Sequence, residues 1–159
     1  MVEHRVVNTS PLIYLSRAGL LHLLKAAEVV VPDEVVAELC AWPTADAAQK
    51  AVQSCSWLQK VHGILVPPVV AVWDLGAGES AVIAYALVQQ GTIAVIDDLA
   101  ARRCARSLGI PIRGTLGLVL DAKRQGLIPS ARETLKHLRE AVMYLSDRFA
   151  DAALHEVGE

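Results

Sequence analysis

The sequence predicts an α/β fold: a three-layer α/β/α sandwich with four or five mainly parallel strands, forming a single domain over residues 1–159. The first reason is that short apolar segments alternate with helical segments, which is the pattern of parallel strands joined by right-handed crossovers. The second is composition, since 53% of the residues are hydrophobic but only 4% are aromatic. Val, Leu, Ile and Ala must therefore build the core, and they suit a parallel sheet covered by helices.

Four apolar segments predict strands, and residues 92–96 give the clearest of them. Pro111 favours a sheet edge or a strand start, because proline cannot donate a hydrogen bond to a neighbouring strand. The segment 57–73 has short apolar stretches interrupted by glycine and proline, and we interpret it as a short strand and a loop. The predicted strands cover residues 4–8, 29–31, 92–96 and 110–113.

The helices are marked by capping residues, proline and glycine. Ser10 followed by Pro11 is typical of an N-cap with proline at the first helical position. Gly19 divides the first helical stretch in two. Asp33 and Glu34 place acids near the positive end of a helix dipole. The predicted helices cover residues 11–18, 20–26, 32–40, 44–54, 79–90, 99–107, 115–125, 130–142 and 147–157.

The charges are unevenly distributed, although the net charge is only −2. Residues 1–98 hold five Lys/Arg and ten Asp/Glu, whereas residues 102–139 hold nine Lys/Arg against Asp121 and Glu133. A basic band within an acidic protein is compatible with phosphate binding. A set of solvated helix faces gives the same pattern, so the charges alone do not decide between the two.

The sequence also predicts a cytoplasmic protein without a membrane span. No apolar run approaches the ~18 residues that a transmembrane helix needs, and the N-terminus lacks the pattern of a signal peptide. The cysteines are odd in number and match no zinc motif, so they are interpreted as reduced, small hydrophobic residues. They are Cys40, Cys55 and Cys104.

Four polar residues lie where a catalytic site is expected. Asn8 ends the first predicted strand just before a helix, the place where ligands bind in open α/β sheets. Asp97 ends the most apolar strand, where an unpaired carboxylate is costly and must be hydrogen-bonded or metal-bound. Either Asp97 or Asp98 can cap the next helix, which leaves the other available. Glu79 lies on an otherwise apolar helix face and Glu38 at the border of one.

Each of these acids has a simpler interpretation as well. Glu79 can interact with the dipole of its own helix, and Glu38 can be an ordinary surface acid. Taken together, however, three carboxylates and one amide match the oxygen ligands that Mg²⁺ or Mn²⁺ prefers. Such an ion can polarise a phosphodiester and activate a water for in-line attack. The sequence thus favours divalent-metal chemistry at Asn8, Glu38, Glu79 and Asp97, with Asp98 as an additional candidate ligand.

Five motifs extend through nearly the whole chain. They are VNTSPLI at 7–13, VPDEVVAEL at 31–39, LGAGESAVIA at 75–84, IDDLAAR at 96–102 and GIPIRGTLG at 109–117. In their order and spacing these motifs resemble those of the PIN-domain ribonucleases, and most closely the VapC-like toxin branch formerly of unknown function.

The resemblance implies Mg²⁺- or Mn²⁺-dependent cleavage of single-stranded RNA. It assigns Glu38, Glu79 and Asp97 to the metal, together with Asn8, where the PIN pattern usually has aspartate. An amide oxygen can ligate Mg²⁺ but brings no charge, for which Asp98 partly compensates. The resemblance also implies the toxin half of a toxin–antitoxin pair, a homodimer and a small antitoxin protein as partner.

RNA contacts are predicted next to these acids, at Thr9 and at the arginines that follow Asp97. Those arginines are Arg102, Arg103, Arg106 and Arg113. Two alternatives to a ribonuclease remain open. A catalytically weakened PIN domain would bind RNA or a protein without cutting, and Asn8 favours it. A small-molecule phosphatase-like hydrolase would use the same metal cluster.

Overall fold

The chain forms one five-stranded sheet in which all paired strands run parallel. The coordinates are a computed structural model, which describes residues 2–141 and 144–159. The strands are β1 (His4–Val7), β2 (Glu28–Pro32), β3 (Leu58–Val61), β4 (Ile93–Val95) and β5 (Ile112–Arg113). Their order across the sheet is β3-β2-β1-β4-β5. The predicted α/β class with a parallel sheet of four or five strands is therefore confirmed.

Helices flank this sheet, and in the described part of the chain most lie within a few residues of their predicted positions. The last residue of the predicted helix 130–142 lies outside the described residues. Besides a 3₁₀ helix at Leu21–Ala26, the helices are α1 (Thr9–Arg17), α2 (Asp33–Ala41), α3 (Asp46–Ser54), α4 (Pro68–Ala71), α5 (Ala77–Val88), α6 (Leu99–Ser107), α7 (Thr115–Arg124), α8 (Ala131–Ala141) and α9 (Asp147–Glu156).

The start of α1 differs from its prediction. The helix begins at Thr9, and the N-cap is Asn8, with an extended backbone at φ −83° and ψ 172°, rather than Ser10. Pro11 is consequently the third helical residue. It is tolerated there because the first N–H groups of a helix have no partner within the helix. Asn8 thus lies directly at the junction of β1 and α1.

Two further elements differ from the sequence prediction. The segment predicted as a helix at 20–26 is a 3₁₀ helix. The segment 57–73 contains the predicted short strand, which is β3 at the sheet edge, but it also forms the single turn α4 where a loop was predicted. In β3, Gln59 and Lys60 are exposed, so this edge strand lacks the continuous apolar pattern of β2.

The sheet reverses its winding direction between β1 and β4. From β1 the chain adds β2 and then β3 on one side, and it returns to place β4 and β5 on the other. Val7 pairs with Val95 across this boundary, and the Asn8 N–H donates to the Val95 carbonyl at 3.0 Å. In open α/β sheets, ligands bind in the crevice at such a switch point, outside the carboxyl ends of the strands.

Two apolar clusters stabilise the fold. The larger packs the strands against the helices around Val6, Val31 and Ile96, all of which are fully buried. The smaller lies among α7, α8, α9 and the 3₁₀ helix, with Leu135 and Leu154 at its centre. The C-terminal helices are therefore attached to the rest of the fold through α7 and α1. None of the described helices is long and apolar enough to cross a membrane.

Glu159 caps the N-terminus of α8. Its carboxylate accepts hydrogen bonds from the backbone N–H of Ala131 (2.8 Å) and of Arg132 (2.9 Å), and from the Ser130 hydroxyl (2.9 Å). Lys123 approaches the same carboxylate at 3.0 Å. The backbone bonds from Arg132 and Ala131 are the main reason that the pKa of Glu159 is lowered from 4.5 to about 2.

Glu159→Gln should therefore lower the melting temperature at neutral pH by about 2–4 °C, the scale of a lost helix cap in a domain of this size. Because the folded pKa is depressed, the stabilisation is present above pH 4.5 and is lost as the pH falls towards 2. Thermal melts of both proteins across this pH range test the prediction, and the difference should vanish at the acid end.

Glu156→Gln is the matched control, since Glu156 is exposed on α9 and pairs with Arg124 at the surface. It should change the melting temperature little. A difference between wild type and Glu159→Gln that is constant with pH would show that charge on Glu159 does not stabilise α8.

Candidate active site

Asn8 is buried at the switch point, with only 1% of its surface exposed. Although it is the N-cap of α1, its side chain makes no capping hydrogen bond. Instead Nδ2 donates to Glu79 Oε1 at 3.1 Å. A carboxylate only accepts hydrogen bonds, so this contact fixes which end of the amide faces Glu79. The amide oxygen Oδ1 is left buried, without a hydrogen-bond partner among the described residues.

Glu38 lies beside this pair, held from two sides. One carboxylate oxygen accepts a hydrogen bond from the Thr9 hydroxyl, and the other accepts one from the backbone N–H of Gly78 at 2.8 Å. Thr9 is buried in the first turn of α1, and Gly78 lies in the first turn of α5. Two helix starts therefore fix the position of a carboxylate that extends from α2.

Gly76, the N-cap of α5, and Gly78 in its first turn allow the two carboxylates to approach the backbone at the start of this helix. A Cβ atom at Gly78 would lie 2.6 Å from Glu38 Oε2. A Cβ atom at Gly76 would overlap Glu79 Oε2 and lie 3.9 Å from Glu38 Oε1. Glu38 and Glu79 therefore approach the same short stretch of chain, and any larger residue there would displace one of them.

Asp97 follows β4 at the same edge of the sheet, with its carboxylate held by Thr115. The backbone N–H and the hydroxyl of Thr115 donate to the two Asp97 oxygens, each at 2.7 Å. Asp98 has the other role that the sequence offered, since its Oδ2 accepts from the Ala101 N–H at 2.8 Å and so caps α6. Of the two acids, it is Asp97 that the helix cap leaves available.

The predicted arginines take different positions around Asp97. Arg102 is half-buried and donates to the Ile96 carbonyl at 2.9 Å. Burial lowers its pKa, and the nearby charge of Arg106 lowers it further, while Asp97 acts in the opposite direction. Arg106 and Arg113 line a groove that also includes Asp97, whereas Arg103 on the same helix is exposed outside it.

The contacts thus join Asn8, Thr9, Glu38 and Glu79, while Asp97 is held separately on the neighbouring strand. Among residues 2–141 and 144–159, no group of three or more His, Cys, Asp and Glu side chains lies close enough to hold a metal ion. A site of all four predicted ligands, with or without Asp98, therefore stays a prediction.

The residues nevertheless fit a hard divalent cation. The unpartnered Asn8 oxygen is buried beside two carboxylates, and oxygen donors of this kind are the ones that Mg²⁺ and Mn²⁺ prefer. A buried polar atom without a partner is costly, and a bound cation would satisfy it.

The comparison with protein families agrees with this geometry. A family model described as PIN domain matches residues 4–159, which is almost the entire chain. The chain belongs to the PIN-domain family. PIN domains are typically metal-dependent nucleases that bind RNA and use Mg²⁺ or Mn²⁺. A search of curated proteins gave no match.

Two contributors to this PIN-domain site were not singled out from the sequence. Thr115, which is fully buried, holds both oxygens of Asp97, and the Gly78 backbone N–H holds Glu38. Thr115 follows β5 and Gly78 lies in the turn of α5, so each meets its acid only after the sheet assembles. The available signal was that both residues fall within motifs shared with the family.

Proposed function

We propose that this PIN domain is a metal-dependent endoribonuclease that cleaves single-stranded RNA. The observation that carries the proposal is the buried, unpartnered Asn8 oxygen beside the Glu38 and Glu79 carboxylates at the switch point of the sheet. Membership in a family of nucleases supplies the reaction class. The carboxylates of Glu38, Glu79 and Asp97, with Arg102 close to Asp97, would suit a phosphodiester substrate.

In this mechanism Asn8, Glu38, Glu79 and Asp97 would hold Mg²⁺ or Mn²⁺. When bound, such an ion polarises the phosphodiester and makes a coordinated water a stronger nucleophile. Thr9 and the Gly78 N–H orient Glu38, and Thr115 orients Asp97, so that both carboxylates keep one rotamer. Arg102 offers a partly desolvated positive charge near Asp97 for a phosphate oxygen.

Cleavage of end-labelled single-stranded RNA by purified protein tests this function directly. We expect cleavage with Mn²⁺ or Mg²⁺, none with EDTA, and none with Glu79→Gln. Glu140→Gln on the exposed surface of α8 is the control and should cleave like wild type. Cleavage that persists in EDTA or in Glu79→Gln would contradict the proposed site.

A toxin role forms the finer part of this proposal. It rests on the resemblance of the five motifs to VapC-like toxins, which also suggests a homodimer and neutralisation by a small antitoxin. Expression in a bacterial host should then arrest growth, and Glu79→Gln should abolish the arrest. If the host grows normally while it expresses active wild-type enzyme, the toxin role is contradicted but the ribonuclease proposal is retained.

A second candidate is a PIN domain that binds RNA or a protein without cutting. The hydrogen bond from Asn8 to Glu79 favours it, because an amide N–H already satisfies part of the carboxylate that would otherwise face a cation. The cleavage assay separates the candidates. RNA that binds but stays intact at high Mn²⁺ concentration would support the binding module.

A further inference from the structure

A groove lined in part by Asp97 lies in the C-terminal part of the molecule. It has a volume of about 1230 Å³ and lies between the α6–α7 region and α9. The volume exceeds the ~300–1,000 Å³ of typical small-molecule pockets, so an extended ligand suits it better than a compact one. Several of its lining residues have small side chains, namely Gly114, Gly117, Ala152 and Ala153.

The charges of the groove are unbalanced in favour of arginine. Five arginines and three acids line it. Two of the acids are already paired, since Asp121 binds Arg113 at 2.9 Å and Arg124 at 3.2 Å, and Glu156 binds Arg124 at 3.1 Å. The other lining arginines, Arg102, Arg106 and Arg148, form no ion pair with any described residue. Their charge is complementary to a phosphate chain.

Exposed aromatic rings border the same groove. Phe149 is 65% exposed in the first turn of α9, and Tyr144 is 93% exposed just before that helix. The N-terminus of α9 is fixed, because the Ser146 hydroxyl accepts a hydrogen bond from the Phe149 N–H. In a chain with only 4% aromatic residues, two solvent-facing rings beside unpaired arginines require an explanation other than core packing.

We propose that this groove is a base-stacking subsite, in which Phe149 and Tyr144 stack unpaired bases of an RNA strand while Arg106 and Arg148 contact its phosphates. The inference rests on the proposed ribonuclease function and adds where the strand beyond the cleaved bond lies. Proteins that bind single strands combine a positive groove with aromatic platforms, and such stacking tolerates any base. The subsite therefore gives affinity for unpaired RNA without strong sequence preference.

Single-stranded RNA fits better than a protein segment for two reasons. The unpaired charges of the groove are mainly arginines, and the two most exposed apolar side chains among its lining residues, Tyr144 and Phe149, carry aromatic rings that can stack on bases. A duplex fits less well, because its bases are already stacked and its major groove is closed to side chains.

Fluorescence anisotropy with two labelled probes in EDTA tests the subsite without cleavage. One probe is a short oligouridylate, and the other is a sugar–phosphate strand of equal length without bases. Phe149→Ala is compared with Phe149→Tyr, which keeps the ring. Arg106→Ala is compared with Lys50→Ala, which removes an exposed positive charge on α3, outside the groove. Thermal melts confirm that each variant is folded.

Phe149→Ala should raise the Kd for oligouridylate about fivefold or more, the lower end for one stacked base, and leave the Kd for the abasic strand unchanged. Phe149→Tyr should bind both probes like wild type. Arg106→Ala should weaken the binding of both probes. In a plot of log binding constant against log salt concentration, the slope should become less steep by about 0.7, the value for one lost phosphate contact with a single strand. Lys50→Ala should change neither the Kd nor the salt dependence for either probe.

The inference is overturned if Phe149→Ala binds oligouridylate like wild type, or if it weakens both probes equally. Its failure is distinct from failure of the ribonuclease proposal. If wild type cleaves RNA in a metal-dependent way but Phe149→Ala has the wild-type Kd for oligouridylate, only the stacking subsite is contradicted. If oligouridylate binding depends on the Phe149 ring but the wild type never cleaves RNA, only the ribonuclease proposal is contradicted. If the wild type binds neither probe, RNA is not the occupant of the groove.

Discussion

Replacing Asn8 with Asp should tighten the binding of Mn²⁺ and Mg²⁺ at least tenfold and raise ribonuclease activity. The substitution adds one negative charge at the carboxyl end of β1, where the amide oxygen now has no partner. At an effective dielectric of about 20, a charge ~4 Å from a cation contributes on the order of 4 kcal/mol before desolvation is subtracted. The net gain is smaller, but tenfold requires only about 1.4 kcal/mol.

The same substitution should destabilise the protein when no cation is bound. Asn8 Nδ2 donates to Glu79 Oε1 at 3.1 Å, and an aspartate would replace this hydrogen bond by two carboxylates facing each other. Because residue 8 is buried, water cannot screen their repulsion well. The amide therefore keeps the site ordered without metal, at the cost of weaker metal binding.

Thermal melts and calorimetric titrations with Mn²⁺ and Mg²⁺ measure both effects. Asn8→Asp should have a lower melting temperature than wild type in EDTA, and saturating Mn²⁺ should raise its melting temperature by more than that of wild type. Gln90→Glu is the matched control, since it makes the same charge change at an exposed position. Equal metal affinities for wild type and Asn8→Asp, with equal melting temperatures in EDTA, would mean that residue 8 does not face the ion.

The sequence could predict the class of fold because β2 and β4, the two strands beside the central β1, are short and mainly apolar. Residues 29–31 and 92–96 must lie in a buried sheet, and their positions agree with β2 and β4. Edge strand β3 could not be predicted in the same way. Half of its residues face solvent, so its pattern carries little information without its neighbour β2.

The candidate site was predictable in part, for a similar reason. A polar residue that directly follows a buried strand, such as Asn8 or Asp97, has its position fixed by local sequence alone. The contacts between acids and their partners were not predictable, because they join residues far apart in the chain. Asn8 and Glu79 are separated by 71 positions, and Thr9 and Glu38 by 29. Only the completed sheet shows which helix start meets which carboxylate.

Thr115→Val should reduce cleavage and metal affinity by about 10–100-fold, the usual cost of removing a group that orients a metal ligand. Valine keeps the shape of threonine, and the backbone N–H still donates to Asp97 Oδ1. Asp97 Oδ2, however, loses the hydroxyl that holds it at 2.7 Å, so the carboxylate is free to rotate away from the site.

Thr115→Ser is the control, because it keeps the hydroxyl and loses only a methyl group. Single-turnover cleavage and Mn²⁺ titration of the two variants should therefore diverge, with serine close to wild type and valine much weaker. Thr115 is fully buried, so both variants disturb the packing of the core around it. A difference between them therefore reports the loss of the hydroxyl that orients Asp97 and not the loss of packing. If the Thr115→Val and Thr115→Ser variants lose activity equally, the role of Thr115 is limited to stabilising the fold. If valine cleaves at the wild-type rate, Asp97 does not take part in the chemistry through the oxygen that Thr115 holds.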